Sequence, residues 1–174
     1  DDPADARSRL DVIPKLELAG LRGMGGAGAP AAKKWKDVQR APGTEKYIVC
    51  NADESEPATF KDRELMLRAP WLIIEGIIIA GLAIGATRGY VYLRHEYPEQ
   101  AEALRKAIAL AEKEGVAGLN VGKTGLDFPV SVYISPGGYI CGEQSALIEA
   151  MEGKRAQPRN RPPELATNGM FDKP

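Results

Sequence analysis

An α/β fold, with a mainly parallel sheet flanked by helices, is what this chain of 174 residues predicts. Three observations carry that expectation. Short apolar runs of β type alternate with helical segments, and strands separated by helices pair in parallel through crossovers. The length suits a single domain with a sizeable core. The strands end in glycine-rich or acidic loops, and sheets of this class collect ligands beyond the carboxyl ends of their strands.

The elements follow in order. A helical patch over residues 6–19, disturbed by Pro14, leads into the glycine loop "GLRGMGGAGAPAAKKW", residues 20–35. "KYIVCN" (46–51) is a short buried strand with a polar end. "WLIIEGIIIAGLAIGA" (71–86) is a helix, and "GYVYLR" (89–94) a strand. In "PEQAEALRKAIALAEKEG" (98–115), Leu104, Ala107, Ile108 and Ala111 recur at the spacing of one helix face, between Pro98 and a stop at Gly115. "PVSVYIS" (129–135) is a third strand, and "GEQSALIEAMEG" (142–153) a helix after a glycine turn. The segment from Lys154 to Pro174, rich in Pro, Arg and Asn, has no apolar period and is loop.

Composition narrows the function. A formal net charge of −1 supplies no global field for nucleic acid or a membrane surface, so any anion site must be local. The two cysteines, Cys50 and Cys141, are too few for an ordinary iron–sulfur cluster or a structural zinc, and suit reduced thiols in a cytosolic protein. The apolar run 71–86 falls short of the ~20 residues of a membrane span and contains Glu75. The N-terminal stretch "DDPADARSRL" has no apolar centre, so it is no signal peptide.

Four loop segments carry the polar chemistry. In the first, Gly23, Gly25, Gly26 and Gly28 let backbone N–H groups approach an anion, with Lys33 or Lys34 adding charge. No Walker sequence follows, and a glycine turn for close packing is the structural alternative. The second, "CNADESEPATFKDR", crowds Asp53, Glu54 and Glu56 behind a strand. Such carboxylates bind metals, move protons or accept hydrogen bonds from hydroxyls and ring N–H groups. The alternative is a solvated acidic loop neutralised by Lys61, Arg63 and Arg68. Metal is less attractive, because the sole histidine, His95, lies elsewhere beside Glu96. The third, "SPGGYICGEQSAL", offers Gly137, Gly138, Gly142 and the ring of Tyr139, with Glu143 or Gln144 at a helix start. The fourth, "RAQPRNRPPEL", holds arginines suited to a phosphate or to solvent. The set suits a phosphorylated, hydroxyl-rich cofactor without choosing among a flavin, a nicotinamide nucleotide and a sugar phosphate.

"GLRGMGGAGAPAAKKW", "CNADESEPATFKDR", "GYVYLRHEYPEQ" and "YICGEQSALIEAMEG", in this order, resemble the flavin-binding (51 kDa, F-type) subunit of respiratory complex I. The likeness extends to relatives in NAD-linked hydrogenases and formate dehydrogenases. It implies a Rossmann-like FMN-binding domain over residues 1–174, with the family's ubiquitin-like and 4Fe–4S domains absent from this stretch. NADH is the implied substrate, and the flavin itself is the catalytic group. The implied partners are iron–sulfur electron-transfer subunits of a multi-subunit complex, with no nucleic acid and no direct membrane insertion. The implied location is cytoplasmic, peripheral to a membrane complex. The resemblance assigns FMN contacts to Gly23, Gly25, Gly26, Lys34, Asn51, Asp53, Glu54, Ser55, Tyr139, Gly142 and Glu143. Met24 stands where the family more usually has arginine.

On the nicotinamide side, only Glu56 keeps the family pattern. Ala29 and Asp37 replace aromatic residues, Gln144 replaces a glutamate, and Arg161 and Glu164 stand for a lysine and a phenylalanine. The resemblance therefore implies NADH oxidation through FMN, as in NADH:quinone oxidoreductase. Its alternative is a flavin-binding or structural subunit that has lost or altered NADH binding and exchanges electrons with a protein.

Overall fold

The computed structural model describes residues 12–174. Strands β1 (Tyr47–Ala52), β2 (Arg88–Arg94) and β3 (Val130–Ser135) form one parallel sheet in the order β1-β2-β3. Among the described residues six helices surround it. They are α1 (Val12–Ala19), α2 (Ala31–Arg40), α3 (Lys61–Arg68), α4 (Pro70–Ile84), α5 (Pro98–Lys113) and α6 (Gln144–Met151). The α/β class is the one the sequence predicts. The three strands lie within a residue of their expected bounds. The N-terminal patch is helical from Val12 on, with Pro14 in the first turn, where no intrahelical donor is lost. Its remainder, 6–11, lies outside the described residues.

Two differences from expectation bear on the site. Residues 61–68 are helix α3, although "KDR" looked like the end of a loop. The segment after Lys154 is loop as expected, except for one 3-10 turn at Met170–Asp172.

The alternating strand pattern explains the layers. Ile48, Cys50, Val91, Leu93, Val130 and Val132 face α4 and α5, packing on Ile74, Ile77, Leu104 and Ile108. Tyr92 and Tyr133 face the other way, toward Cys141, Leu147 and Ala150. Val91, Tyr92 and Leu93 in the central strand are fully buried, as expected where a parallel sheet is covered on both faces. The face toward α4 is close-packed around Phe128. A Cβ at Gly81 of α4 would stand 2.2 Å from Phe128 Cζ, and one at Gly89 of β2 would stand 2.7 Å from Ile77. Glycine at Gly81 is what lets the ring lie between helix and sheet.

No single helix among the described residues is long and apolar enough to cross a membrane. The apolar run of α4 is core, and α3 and α4 meet at 96°.

Lys46 fixes the direction of α2. Its ammonium, at the foot of β1, donates to the carbonyls of Val38 and Gln39, each at 2.7 Å. With its C-terminal turn held there, the helix carries its N-terminus and the glycine loop toward the carboxyl rim of the sheet. Two shallow cavities lie at the opposite rim. One is lined by Gly85, Thr87 and Asp127, the other by Gln39, Thr44 and Lys46.

Candidate functional site

The glycine loop is a closed neck. Arg22 and Pro30 form an antiparallel bridge, and Gly23 N–H donates to the Ala29 carbonyl at 2.9 Å. The Arg22 guanidinium closes it by donating to the Gly28 carbonyl at 2.9 Å. Among the described residues, the backbone N–H groups from Met24 to Ala29 have no protein acceptor. No atom comes within 4 Å of where a Cβ would stand at Gly25 or Gly26. The loop thus carries backbone donors unpaired among the described residues, with open space beside Gly25 and Gly26, and is followed directly by a helix N-terminus, an arrangement that favours an anion. Lys34 sits in the first turn of α2, exposed, with no ion pair among the described residues.

In the loop after β1, Glu56 is exposed but the other two crowded carboxylates are not solvated. The Asp53 side chain is 1% exposed, and Glu54 is buried too. Lys61 and Arg68, expected to neutralise them, instead pair with Asp62 and Glu64. The Glu54 carboxylate accepts from the backbone N–H groups of Asp62 (2.6 Å) and Arg63 (3.1 Å), so it caps α3 from outside the helix. The residue at the helix boundary, Phe60, offers no side-chain cap. This is why an eight-residue helix forms where the sequence looked irregular.

Asp53 is different. Its Oδ1 accepts from the Ser55 hydroxyl and lies 3.9 Å from Arg94 Nε, but its buried Oδ2 has no hydrogen-bond partner. Burial pushes the Asp53 carboxyl above its ordinary range, against the Ser55 hydroxyl and the Arg94 guanidinium, which pull it down. A buried carboxylate oxygen with no donor is costly unless a ligand supplies one.

The loop after β3 is bound to this one. Asn51 Nδ2 donates to the Gly142 carbonyl at 2.8 Å, and its Oδ1 accepts from Asp53 N–H at 3.1 Å. The Tyr139 hydroxyl donates to Glu56 at 2.7 Å, which raises the phenol above its ordinary pKa. Glu143 caps α6, accepting from Ser145 N–H and Ala146 N–H, both at 2.9 Å. Burial pushes its carboxyl up, but the Ser145 hydroxyl and those N–H groups outweigh this and hold it below the ordinary range. Ser145 in turn accepts from Arg159 N–H at 2.9 Å, which draws the following loop across the helix start. Arg161 then lies 3.9 Å from Glu143 and 3.6 Å from Glu164. With its amide oxygen turned inward, Gln144 accepts from the same guanidinium.

The sequence-assigned residues therefore fall into two groups. Glu54 spends both carboxylate oxygens on the start of α3, Asn51 and Ser55 bond Gly142 and Asp53, and Glu143 caps α6 through Oε2 alone, so these four build the frame. Asp53 Oδ2, the glycine-loop N–H groups and Lys34 keep unused capacity. Ala29 closes the neck and Asp37 is tied to Lys33 at 2.8 Å, so neither offers a ring. Arg94 and Tyr97 were not assigned from the sequence. Both donate to the Glu54 carbonyl, at 3.1 and 3.0 Å, and the guanidinium lies 5.6 Å from the Tyr97 ring centroid. The only signal for them was the motif "LRHEY" at a strand end.

Residues 16–171 match the Nuo51 FMN-binding domain family. This chain belongs to that family. Over 164 residues, the Nuo51 domain here is 49% identical to the F-type subunit of the NADH-quinone oxidoreductase of Aquifex aeolicus, covering 94% of this chain and 38% of that one. It is 46% identical to the corresponding Escherichia coli protein (94% and 37%) and 42% identical to the alpha subunit of the NAD-reducing hydrogenase HoxS of Cupriavidus necator (98% and 30%). A crystal structure of NAD+-reducing NiFe hydrogenase in the H2-reduced state superposes with a TM-score of 0.88 at 38% identity, over 100% of this chain and 29% of that one. The Nuo51 domain thus spans under two-fifths of the length of these relatives. Its residues fit FMN: the donor-rich glycine loop suits a phosphate, and the orphaned Asp53 oxygen suits a ring N–H or a ribityl hydroxyl.

Proposed function

We propose that this Nuo51 domain binds FMN as the electron-entry module of an NADH-oxidising, multi-subunit oxidoreductase. The observation that carries the proposal is Asp53, buried at the meeting point of two strand-end loops with one carboxylate oxygen unpaired. The glycine-loop N–H groups and Lys34 would hold the phosphate. Asp53 would fix the ring or the ribityl chain, while Asn51, Ser55, Gly142 and Glu143 keep its surroundings in register. When bound, FMN would supply the capacity to accept a hydride and give up electrons one at a time. Tyr139 and Glu56, joined across the rim, would border the nicotinamide side. Electrons would leave to iron–sulfur partners, and through them to quinone or hydrogenase chemistry. In this reading the domain works beside ubiquitin-like and 4Fe–4S domains of a longer subunit, peripheral to a membrane complex.

A second reading is favoured by the missing rings. Ala29 presents only a methyl group, and Asp37 is held by Lys33, so nicotinamide binding is weakened while FMN binding persists. Titrating the protein with FMN, followed by flavin fluorescence, tests the shared claim; no uptake would refute both readings. Adding NADH to the FMN-loaded protein without oxygen separates them. Bleaching at micromolar NADH supports the first, and bleaching only after Ala29→Phe supports the second.

A further inference from the structure

The motif "LRHEY" at the end of β2 has no part in the assignments above, yet it lies beside Asp53, which holds the one buried carboxylate oxygen without a hydrogen-bond partner among the described residues. Arg94 reaches three ways. Its Nε is 3.9 Å from Asp53 Oδ1, its Nη1 donates to the Glu54 carbonyl at 3.1 Å, and its guanidinium grips the Glu96 carboxylate in a two-point pair. That pair holds Glu96 down to about 2. The Arg94 side chain is only 24% exposed, so its charge is poorly screened toward Asp53. Tyr97 braces the arrangement from below: its ring carries the guanidinium, and its hydroxyl shares the Glu54 carbonyl.

We propose that Arg94 is the positioning residue that keeps Asp53 ionised and aligned for the cofactor. This rests on the FMN reading of the site. Asp53 is deeply buried, and Arg94 is the one cation within 4 Å of it among the described residues. The other groups facing it are the Ser55 hydroxyl on its own loop, the Tyr92 phenol from β2 and Glu96 in the turn after β2. Cys141, from the loop after β3, lies beside Tyr92. Of these, Glu96 opposes the ionised form, and it is neutralised by the same arginine. Removing Arg94 therefore acts twice on Asp53: it withdraws a cation and frees an anion. The backbone at Glu54, which leads into the α3 cap, loses one of its two donors at the same time.

The test has two arms on the 174-residue protein. In the first, the Asp53 carboxyl is titrated by carbon NMR without FMN. Arg94→Gln is expected to raise its midpoint by at least about one pH unit, the smaller end of the effect of a neighbouring arginine. Arg94→Lys keeps the charge and leaves the midpoint near wild type. Tyr97→Phe removes only the Glu54 contact and does not move it. In the second arm, the FMN dissociation constant is measured against pH. Weakening on acidification should begin about one unit higher in Arg94→Gln than in wild type, and Asp53→Asn should flatten both profiles. An unmoved NMR midpoint in Arg94→Gln, or an acid limb that survives Asp53→Asn, overturns the proposal alone. Failure of wild type to bind FMN at any pH overturns the flavin reading and the proposal with it.

Discussion

Replacing Glu54 by alanine separates two roles for its carboxylate, a flavin contact and a helix cap. In the structure both oxygens are already used, at 2.6 Å to Asp62 N–H and 3.1 Å to Arg63 N–H, by a residue that is 5% exposed. Hydrogen bonds to a charged group contribute about 1.5–3 kcal/mol each, and loss of a side-chain cap costs about 0.5–2 kcal/mol. Water reaching the freed N–H groups recovers part of this, so Glu54→Ala should cost about 2–4 kcal/mol of folding stability. Urea unfolding followed by circular dichroism measures it. Helix α3 buries Met66 in the main core, so its loosening is felt globally. A compensating change sharpens the test. Phe60 lies at the helix boundary, 62% exposed and without a cap bond, so Phe60→Asp in the alanine background should restore about 1 kcal/mol. Well below the unfolding midpoint, FMN affinity of the double variant should stay within about threefold of wild type, or about 0.6 kcal/mol, because no ligand contact is removed. A stability loss under about 0.5 kcal/mol, below the cost expected for any lost cap, would refute the capping argument. So would a failure of Phe60→Asp to recover anything.

Gly81→Ala should destabilise the fold by about 1–3 kcal/mol through overpacking, because the new Cβ meets Phe128 at 2.2 Å. Adding Phe128→Leu should reverse part of the loss, read as non-additive urea midpoints. The lowered Glu143 pKa makes its contribution complete above its unfolded value of 4.5 and lost as pH falls through the lower folded value. Glu143→Gln should therefore show a shallower loss of stability on acidification below about pH 5 than wild type, measured by thermal unfolding across pH.

The sheet and its long helices were legible because their signals are local. β2 and β3 are apolar β-type runs with turn residues at their ends, and α5 keeps its apolar face through four turns. Helix α3 was not legible, because its cap comes from Glu54, eight and nine residues before the N–H groups it satisfies. The local position, Phe60, gives no signal at all. The site motifs were recognisable as a set, but the division of labour within them was not. Asn51 and Glu54 look like ligands from sequence, and only the fold reveals that their oxygens and nitrogens are committed to Gly142, Asp53 and α3. Arg94 stayed hidden for the opposite reason. An arginine at a strand end looks like solvent-facing charge until Asp53 is found behind it.

The bond from Asn51 to the Gly142 carbonyl joins residues 91 apart in sequence, and Tyr139 to Glu56 joins a pair 83 apart. Together they span the end of β2, tying the end of β1 and the loop that follows it to the loop after β3. Neither loop can therefore open alone. Opening for ligand exchange must break both ties in a single event, so amide protons on the two loops should exchange with solvent as one cooperative unit, at one common rate.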